Sequence, residues 1–358
     1  MIDFLIIGGG VGGLSAAARL SELGSATVLE TEDALAYHAS GRSAALFEQN
    51  YGKPSTVALN TASYEFHKDA GVLSPRGIML AGSNTEKDAF TADMQQMHIP
   101  QITMAEATAL LPILDPDVIT HVAFDARAQD IDTDMLVQTF ARMARTNGAT
   151  IKTKAAVTDI SRHAHGWTVT TASGTYDARN IVNAAGGWVD QVAQMAGIAP
   201  IGFTPLRRSM ARIPAPAGMD VSTWPMVFGA GETWYAKPDA GAIIVSPADE
   251  DPVTPHDVFA DDMTLAEGLA RFEENVTMSV TRLISSWAGM RTFAPDRQLV
   301  LGRDPNTPSF IWCAGQGGYG MQSAPAASQL LADLIAERPT QMDAETVAAL
   351  SPKRFQTS

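Results

Sequence analysis

The sequence holds one cysteine, Cys313, in 358 residues. That excludes a disulfide framework and any zinc or iron–sulfur centre built on several thiolates. Charge is sparse at 18%, and Lys and Arg number 25 against 39 Asp and Glu, a net −14. Without a basic face, neither nucleic acid nor an anionic membrane is expected as a partner. Long apolar runs are missing too. The most apolar stretch, Phe4 to Ala18, is glycine-rich and too short to span a bilayer. No basic n-region or small-residue cleavage site precedes the first motif, so a cytoplasmic location is expected. The histidines lack ligand spacing beyond His163-Ala164-His165, and no metal site is expected. What the chain does have is 46% hydrophobic residues, enough for a full core and against disorder.

The first thirty residues are the most legible. Phe4-Leu5-Ile6-Ile7 reads as a strand that opens into Gly8-Gly9-Gly10-Val11-Gly12-Gly13. A helix-forming run, Leu14 to Leu20, follows, with Gly24 as its expected C-cap. Ala26 to Leu29 is a second strand, closed by Glu30. Gly8, Gly10 and Gly13 form G-x-G-x-x-G: a tight turn, close approach of backbone to a pyrophosphate, and close helix–strand packing. The helix start then offers free N–H groups to phosphate. Glu30 falls twenty residues after Gly10, where a carboxylate accepts from ribose hydroxyls and disfavours a 2′-phosphate. FAD and NAD share this fingerprint. Glycine-bearing strand ends recur far downstream, at Ala184 to Gly187 and Gly315 to Gly320, which suits a long ligand crossing a domain assembled from distant segments.

Helices are expected at about 55–69, 133–146 (capped by Asp132 or Thr133 and by Gly148) and 323–336. Trp167 to Thr171 and Thr175 to Asp177 read as a hairpin about Ser173-Gly174. Ile181 to Asn183, Met226 to Phe228, Ala242 to Val245 and Phe310 to Ala314 read as strands, and short strand-like runs predominate from Pro200 to Gly289.

Five blocks in order resemble the D-amino-acid oxidase/glycine oxidase superfamily of flavoenzymes. They are the N-terminal fingerprint, Gly41-Arg42-Ser43-Ala44-Ala45, Asn183-Ala184-Ala185-Gly186-Gly187-Trp188, Trp287-Ala288-Gly289-Met290-Arg291 and Gly315-Gln316-Gly317-Gly318-Tyr319-Gly320. The order is most similar to the D-arginine dehydrogenase branch, with further matches at Asp130 to Asp134, Arg207-Arg208-Ser209, Tyr235 to Pro238 and Leu350-Ser351-Pro352. The resemblance implies an α/β chain. A Rossmann-like FAD-binding domain (residues 1–80, 140–200 and 290–358) is interleaved with an α+β substrate domain (81–139 and 201–289) on a large mixed sheet. It implies non-covalent FAD. The sarcosine-oxidase branch attaches flavin through a cysteine just after the position matching Arg291, and here Thr292-Phe293 stands there.

By the same resemblance, Gly8, Gly10, Val11 and Gly13 hold the pyrophosphate, and Glu30 with Thr31 the adenosine. Ser40, Ser43, Ala44 and Ala45 follow the flavin and phosphate path, Val157 meets the adenine region, and Ala185 and Gly186 line the cofactor. Gly317, Gly318, Met321 and Gln322 sit at the pyrimidine edge of the flavin, where helix-start amides stabilise negative charge. Arg208 and Arg291 clamp the substrate carboxylate as planar forks, with Arg207 structural. Tyr51 and Tyr235 close the pocket, and Tyr319 is either packing or lid. Gly318 and Gly289 border the reacting centre. Cys313 is expected as a buried structural thiol.

Two departures bear on substrate. Ile78 stands where the D-arginine branch carries a glutamate for the basic side chain, and Leu46 where it has a histidine. Both remove polarity, which disfavours free D-arginine and favours a less basic or apolar side chain. Glu48 replaces a threonine on the same wall. It is expected as a solvated loop carboxylate, with restoration of a negative charge in the pocket as the alternative. The implied reaction is oxidation of a D-amino acid to its imine, by hydride transfer from Cα to flavin N5, with later hydrolysis to keto acid and ammonia. A secondary amine of glycine, sarcosine or proline type, or a 2-hydroxy acid, is the alternative on the same fold. No motif selects the electron acceptor among a quinone, an electron carrier and oxygen.

Overall fold

The computed structural model describes residues 1–356. Two large sheets organise it. The first has a parallel centre, in the order Phe310–Ala314, Gly174–Asn183, Ile2–Ile7, Ala26–Leu29 and Thr150–Lys152. Val300–Arg303 adds antiparallel to Phe310–Ala314 at one edge. The long strand Gly174–Asn183 also pairs antiparallel with Gly166–Thr171, which pairs with Val157–His163. Alternation along Ile2–Ile7 separates the two faces. Phe4 and Ile6 pack under the helices Val11–Leu20, Thr133–Thr146 and Gly320–Ile335, while Leu5 and Ile7 meet Trp167, Val189 and Trp312.

The second sheet has seven strands. Their order is Ser285–Phe293, Thr204–Pro214, Ala242–Ser246, Tyr235–Asp239, Met226–Gly229, Ile78–Gly82 and His121–Asp125. It is mixed, with Met226–Gly229 and Ile78–Gly82 as its parallel pair. One face, with Met79, Ala81, Ala211, Ile213 and Val245, buries against helices Met104–Leu110 and Asp262–Glu274. The other, with Ile78, Leu80, Met210, Phe228 and Tyr235, packs against the helix Lys87–Met97 and the segment from Ala44 to Tyr51. A small sheet of Leu46–Phe47, Gln129–Ile131 and Leu73–Pro75 lies beside them. The strands Ile78–Gly82 and Ser285–Phe293 run across the expected domain boundaries at 80/81 and 289/290.

Local structure follows the sequence signals with stated exceptions. Thr133–Thr146 starts where Asp132 accepts the Met135 amide (2.8 Å), and Gly148 takes a left-handed φ of 85° just past its end. Gly24 is not a helix C-cap. The first helix ends at Leu20 with Ser21 capping, and Gly24 lies in the turn that Asp3 and Ser25 fasten. The final long helix starts earlier than expected, at Gly320, and the stretch from Pro200 to Gly289 contains the helix Asp262–Glu274 among its strands. That helix has its own local signals, an N-cap at Asp261 and buried Leu265, Gly268 and Phe272 at helical spacing, which the strand-like runs around it mask. Among the described residues no helix is long and apolar enough to cross a membrane.

Candidate active site

Three voids with shared walls, of about 280, 120 and 90 Å³, run from the glycine turn to the seven-stranded sheet. The largest is lined by Gly8, Gly10, Glu30, Thr31, Ser40, Val157, Ala185 and Gly186. The next continues along Gly10, Val11, Ser40, Ser43, Ala44, Gly186, Gly317, Gly318 and Met321. The last is closed by Ala45, Leu46, Glu48, Tyr51, Ile78, Tyr235 and Gln322, together with Arg208, Arg291 and Gly318. Residues scattered along the sequence from Gly8 to Gln322 therefore line adjoining voids that form a groove ending in a cavity.

The turn at the groove floor is built as its glycines require. Gly8 has a left-handed φ of 111°, and a Cβ on Gly13 would strike the Gly8 carbonyl oxygen. Gly13 thus lies beneath the turn and lines none of these three voids; its part is close packing of helix on strand. Glu30 is buried, and its carboxylate accepts from the amides of Gly9 (2.6 Å) and Glu32 (2.9 Å). Those bonds fix it on the wall of the largest void with lone pairs to spare for hydroxyl donors. The Val11 amide donates to Ser40 Oγ (3.0 Å), so a side chain already serves the first helix-start donor. Cys313 is buried below this turn, its Sγ 3.5 Å from the Gly12 carbonyl oxygen, and burial pushes its thiol up to about 12.

At the cavity end, strand pairing places the arginines. Leu206 opposes Arg291 and Arg208 opposes Gly289, so Arg208 and Arg291 are diagonal neighbours on one face. Arg208 is 3% exposed and pairs with Glu250 Oε1 (3.2 Å), while its Nε has no partner. Burial first, and then the like charge of Arg291, hold its pKa below the usual arginine range. Arg291 is partly buried, and among the described residues its guanidinium has no protein acceptor. Two adjacent cations facing one void call for an anion between them. Gly318 makes room for Arg291: a Cβ there would lie 3.1 Å from its Cζ. Arg207 points away, bound to Asp249 (3.0 Å) and Asp251 (2.6 Å).

Tyr235 is buried, with Arg208 over its ring at 6.0 Å and its hydroxyl 3.2 Å from Met210 Sδ, a weak acceptor. Tyr51 donates to Glu232 Oε2 (3.2 Å) and meets Tyr319 edge to face at 5.2 Å. Burial, then the Glu232 charge, raise the Tyr51 phenol well above its ordinary pKa.

Two expectations are corrected. Glu48 is no solvated loop carboxylate: it is 5% exposed, it lines the cavity, and burial raises its pKa. Its backbone is drawn in by the Gln322 side chain, whose Oε1 accepts the Glu48 amide (3.0 Å). Gly289 lines the middle void and not the substrate cavity; the atoms in front of its Cα are those of Arg42 and Ala39. The sequence reading missed Glu232, Met97, Met226, Phe228 and Trp234 as cavity walls. Met226, Phe228 and Trp234 lay within or beside strand-like runs, but nothing in the sequence says which face meets a ligand. Met97 comes from a remote helix, and Glu232 from a turn with a left-handed φ of 53°.

The family model described as DAO, FAD dependent oxidoreductase, matches residues 3–334. The chain belongs to this FAD dependent oxidoreductase family. Among curated proteins it is similar to a glycine oxidase of Bacillus licheniformis, 23% identical over 373 residues, covering 95% of each chain. Its fold is that of the L-proline dehydrogenase of P. horikoshii (TM-score 0.81, 20% identity, 96% of each chain). The FAD-bound L-alpha-glycerophosphate oxidase of Mycoplasma pneumoniae is similar too (TM-score 0.84, 20% identity, covering 95% of this chain and 96% of that one). The residues present fit the cofactor of this family. The glycine cradle leaves no room for side chains at Gly8 and Gly13, Glu30 is fixed on the wall, and the continuous groove ends beside Arg291.

Proposed function

We propose that this flavoenzyme oxidises a D-amino acid to its imine. In this reading the eight-stranded sheet carries FAD non-covalently and the seven-stranded sheet forms the substrate half. The observation that carries it is the pair Arg208 and Arg291, diagonal on one sheet face, with Arg291 free of acceptors among the described residues at the meeting of groove and cavity. Two guanidinium forks bind one carboxylate and fix its orientation. FAD supplies a hydride acceptor when bound. The chain's own residues do the rest. Arg208 and Arg291 hold the carboxylate, and the Tyr235 ring lies under Arg208 on the cavity wall. Leu46, Ile78, Met226, Phe228 and Trp234 exclude water from the reacting carbon. Glu48 stands on the wall away from the arginines' strands, and Glu232 at the mouth is tied to Tyr51; neither is needed as a base if the amine arrives neutral.

A second reading, a secondary amine or glycine-type substrate, is favoured by the names of the relatives, which include a glycine oxidase and an L-proline dehydrogenase. Anaerobic addition of D- and L-amino acids, sarcosine, proline and 2-hydroxy acids to the yellow protein separates the two. Rapid loss of flavin absorbance with D-amino acids supports the first reading. Bleaching only by glycine, sarcosine, proline or a hydroxy acid replaces it.

A further inference from the structure

The helix Pro54–Asp69 carries Thr56, Asn60, Ser63 and His67 at steps of four, three and four residues, and all four are 0% exposed. That spacing is one helix face, where an unpartnered polar atom is costly; Thr56 Oγ1 has no partner among the described residues, and Asn60, Ser63 and His67 each have at least one. The partners lie on the two segments that wall the cavity. Asn60 Nδ2 donates to the carbonyls of Gln49 (3.3 Å) and Tyr51 (3.1 Å). Ser63 Oγ donates to the Ser323 carbonyl (3.3 Å) and accepts from the Ala326 amide (3.0 Å). His67 Nε2 donates to the Gln322 carbonyl (2.9 Å).

These bonds fall on the turn next to Pro325, inside the helix Gly320–Ile335. Proline has no amide for the carbonyl four residues back, and its ring crowds that carbonyl. The turn it disturbs contains Met321 and Gln322, which line the cavity. In an uninterrupted helix the Ala326 amide would serve the Gln322 carbonyl. Here Ser63 receives that amide and His67 serves that carbonyl. Gln322 in turn holds the Glu48 amide through Oε1.

We propose that Ser63 and His67 are positioning residues: their bonds to the Gln322 and Ser323 carbonyls and the Ala326 amide brace the turn that Pro325 leaves one amide short, and so hold Met321 and Gln322 at the junction of cofactor groove and substrate cavity. Neither touches the cavity; both act through the helix they brace. His67 suits the task in its neutral form, with one N–H to give. Burial brings its pKa down to about 4, and Phe47 and Phe66 pack edge-on around its ring. The inference rests on FAD membership of the family and not on the substrate.

The test uses the FAD-loaded protein and its variants His67→Leu, His67→Gln and Ser63→Ala. The readouts are the visible spectrum of bound flavin, its reduction potential and the dissociation constant for FAD. His67→Leu is expected to weaken FAD binding about tenfold, the worth of one buried hydrogen bond, and to shift spectrum and potential. His67→Gln, which keeps an N–H donor at similar reach, is expected to restore all three. Ser63→Ala should shift them in the same direction by less. A His67→Leu protein with the wild-type spectrum, potential and FAD affinity, altered only in thermal stability, overturns the proposal. Should that variant fail to fold, Ser63→Ala decides by the same readouts: a wild-type flavin spectrum and potential there overturns it equally.

Discussion

Replacing Arg291 by methionine is expected to abolish most turnover while leaving the fold as stable as before. The asymmetry comes from the structure. Arg208 is tied to Glu250, which Arg297 also holds, so its removal breaks an ion pair of the folded protein. Arg291 has no such partner among the described residues, so the folded protein without substrate loses no protein hydrogen bond with it. It loses the distant attraction of Glu232 and Glu250 together with the cost of desolvating a cation, two opposing effects, and methionine fills comparable space against Gly318. The bound carboxylate loses two charge-assisted hydrogen bonds, each worth roughly 1.5–3 kcal/mol. The sum, about 3–6 kcal/mol, corresponds to roughly a 10²- to 10⁴-fold fall in kcat/KM. Anaerobic stopped-flow reduction of the flavin measures this loss, and a thermal melt measures stability. A melt lowered by about 5 °C or more with reduction rates within about threefold of wild type would refute the reasoning, because Arg291 would then be a structural cation.

Two further predictions follow from burial. Glu48 binds its proton more tightly folded than unfolded, so its contribution to stability falls as pH rises through and above the ordinary carboxylate range. Glu48→Gln should therefore raise the melting temperature more at pH 7 than at pH 4; an equal shift at both would disprove the assignment. Gly13→Ala sets a methyl against the Gly8 carbonyl, backbone against backbone, and should cost about 1–3 kcal/mol or more and yield colourless protein. Recovery of a yellow, equally stable Gly13→Ala protein would show that the turn gives way more easily than its packing implies.

Legibility in the sequence tracked how local each determinant is. The glycine turn, the helix Thr133–Thr146 and the hairpin about Ser173-Gly174 are specified by neighbouring residues, through turn chemistry, capping and period. Glu30 was readable because its distance from the turn is fixed by one helix and one short strand. The arginines were found through a resemblance, and their meaning was not local at all. Arg207 and Arg208 are neighbours in sequence, and strand alternation sends one to Asp249 and Asp251 and the other to the cavity.

By itself, then, the sequence determined the nucleotide end: glycines whose conformational freedom and lack of a Cβ are properties of the residues themselves. The substrate end was decided by tertiary structure. Only the pairing of Thr204–Pro214 with Ser285–Phe293 makes Arg208 and Arg291 neighbours. Glu48 becomes a buried cavity wall because Gln322, 274 residues away, takes its amide. His67 and Pro325 are unremarkable apart, and their relation appears when two helices pack face to face. Burial and like-charge proximity set what these groups do, and both are properties of an assembled neighbourhood.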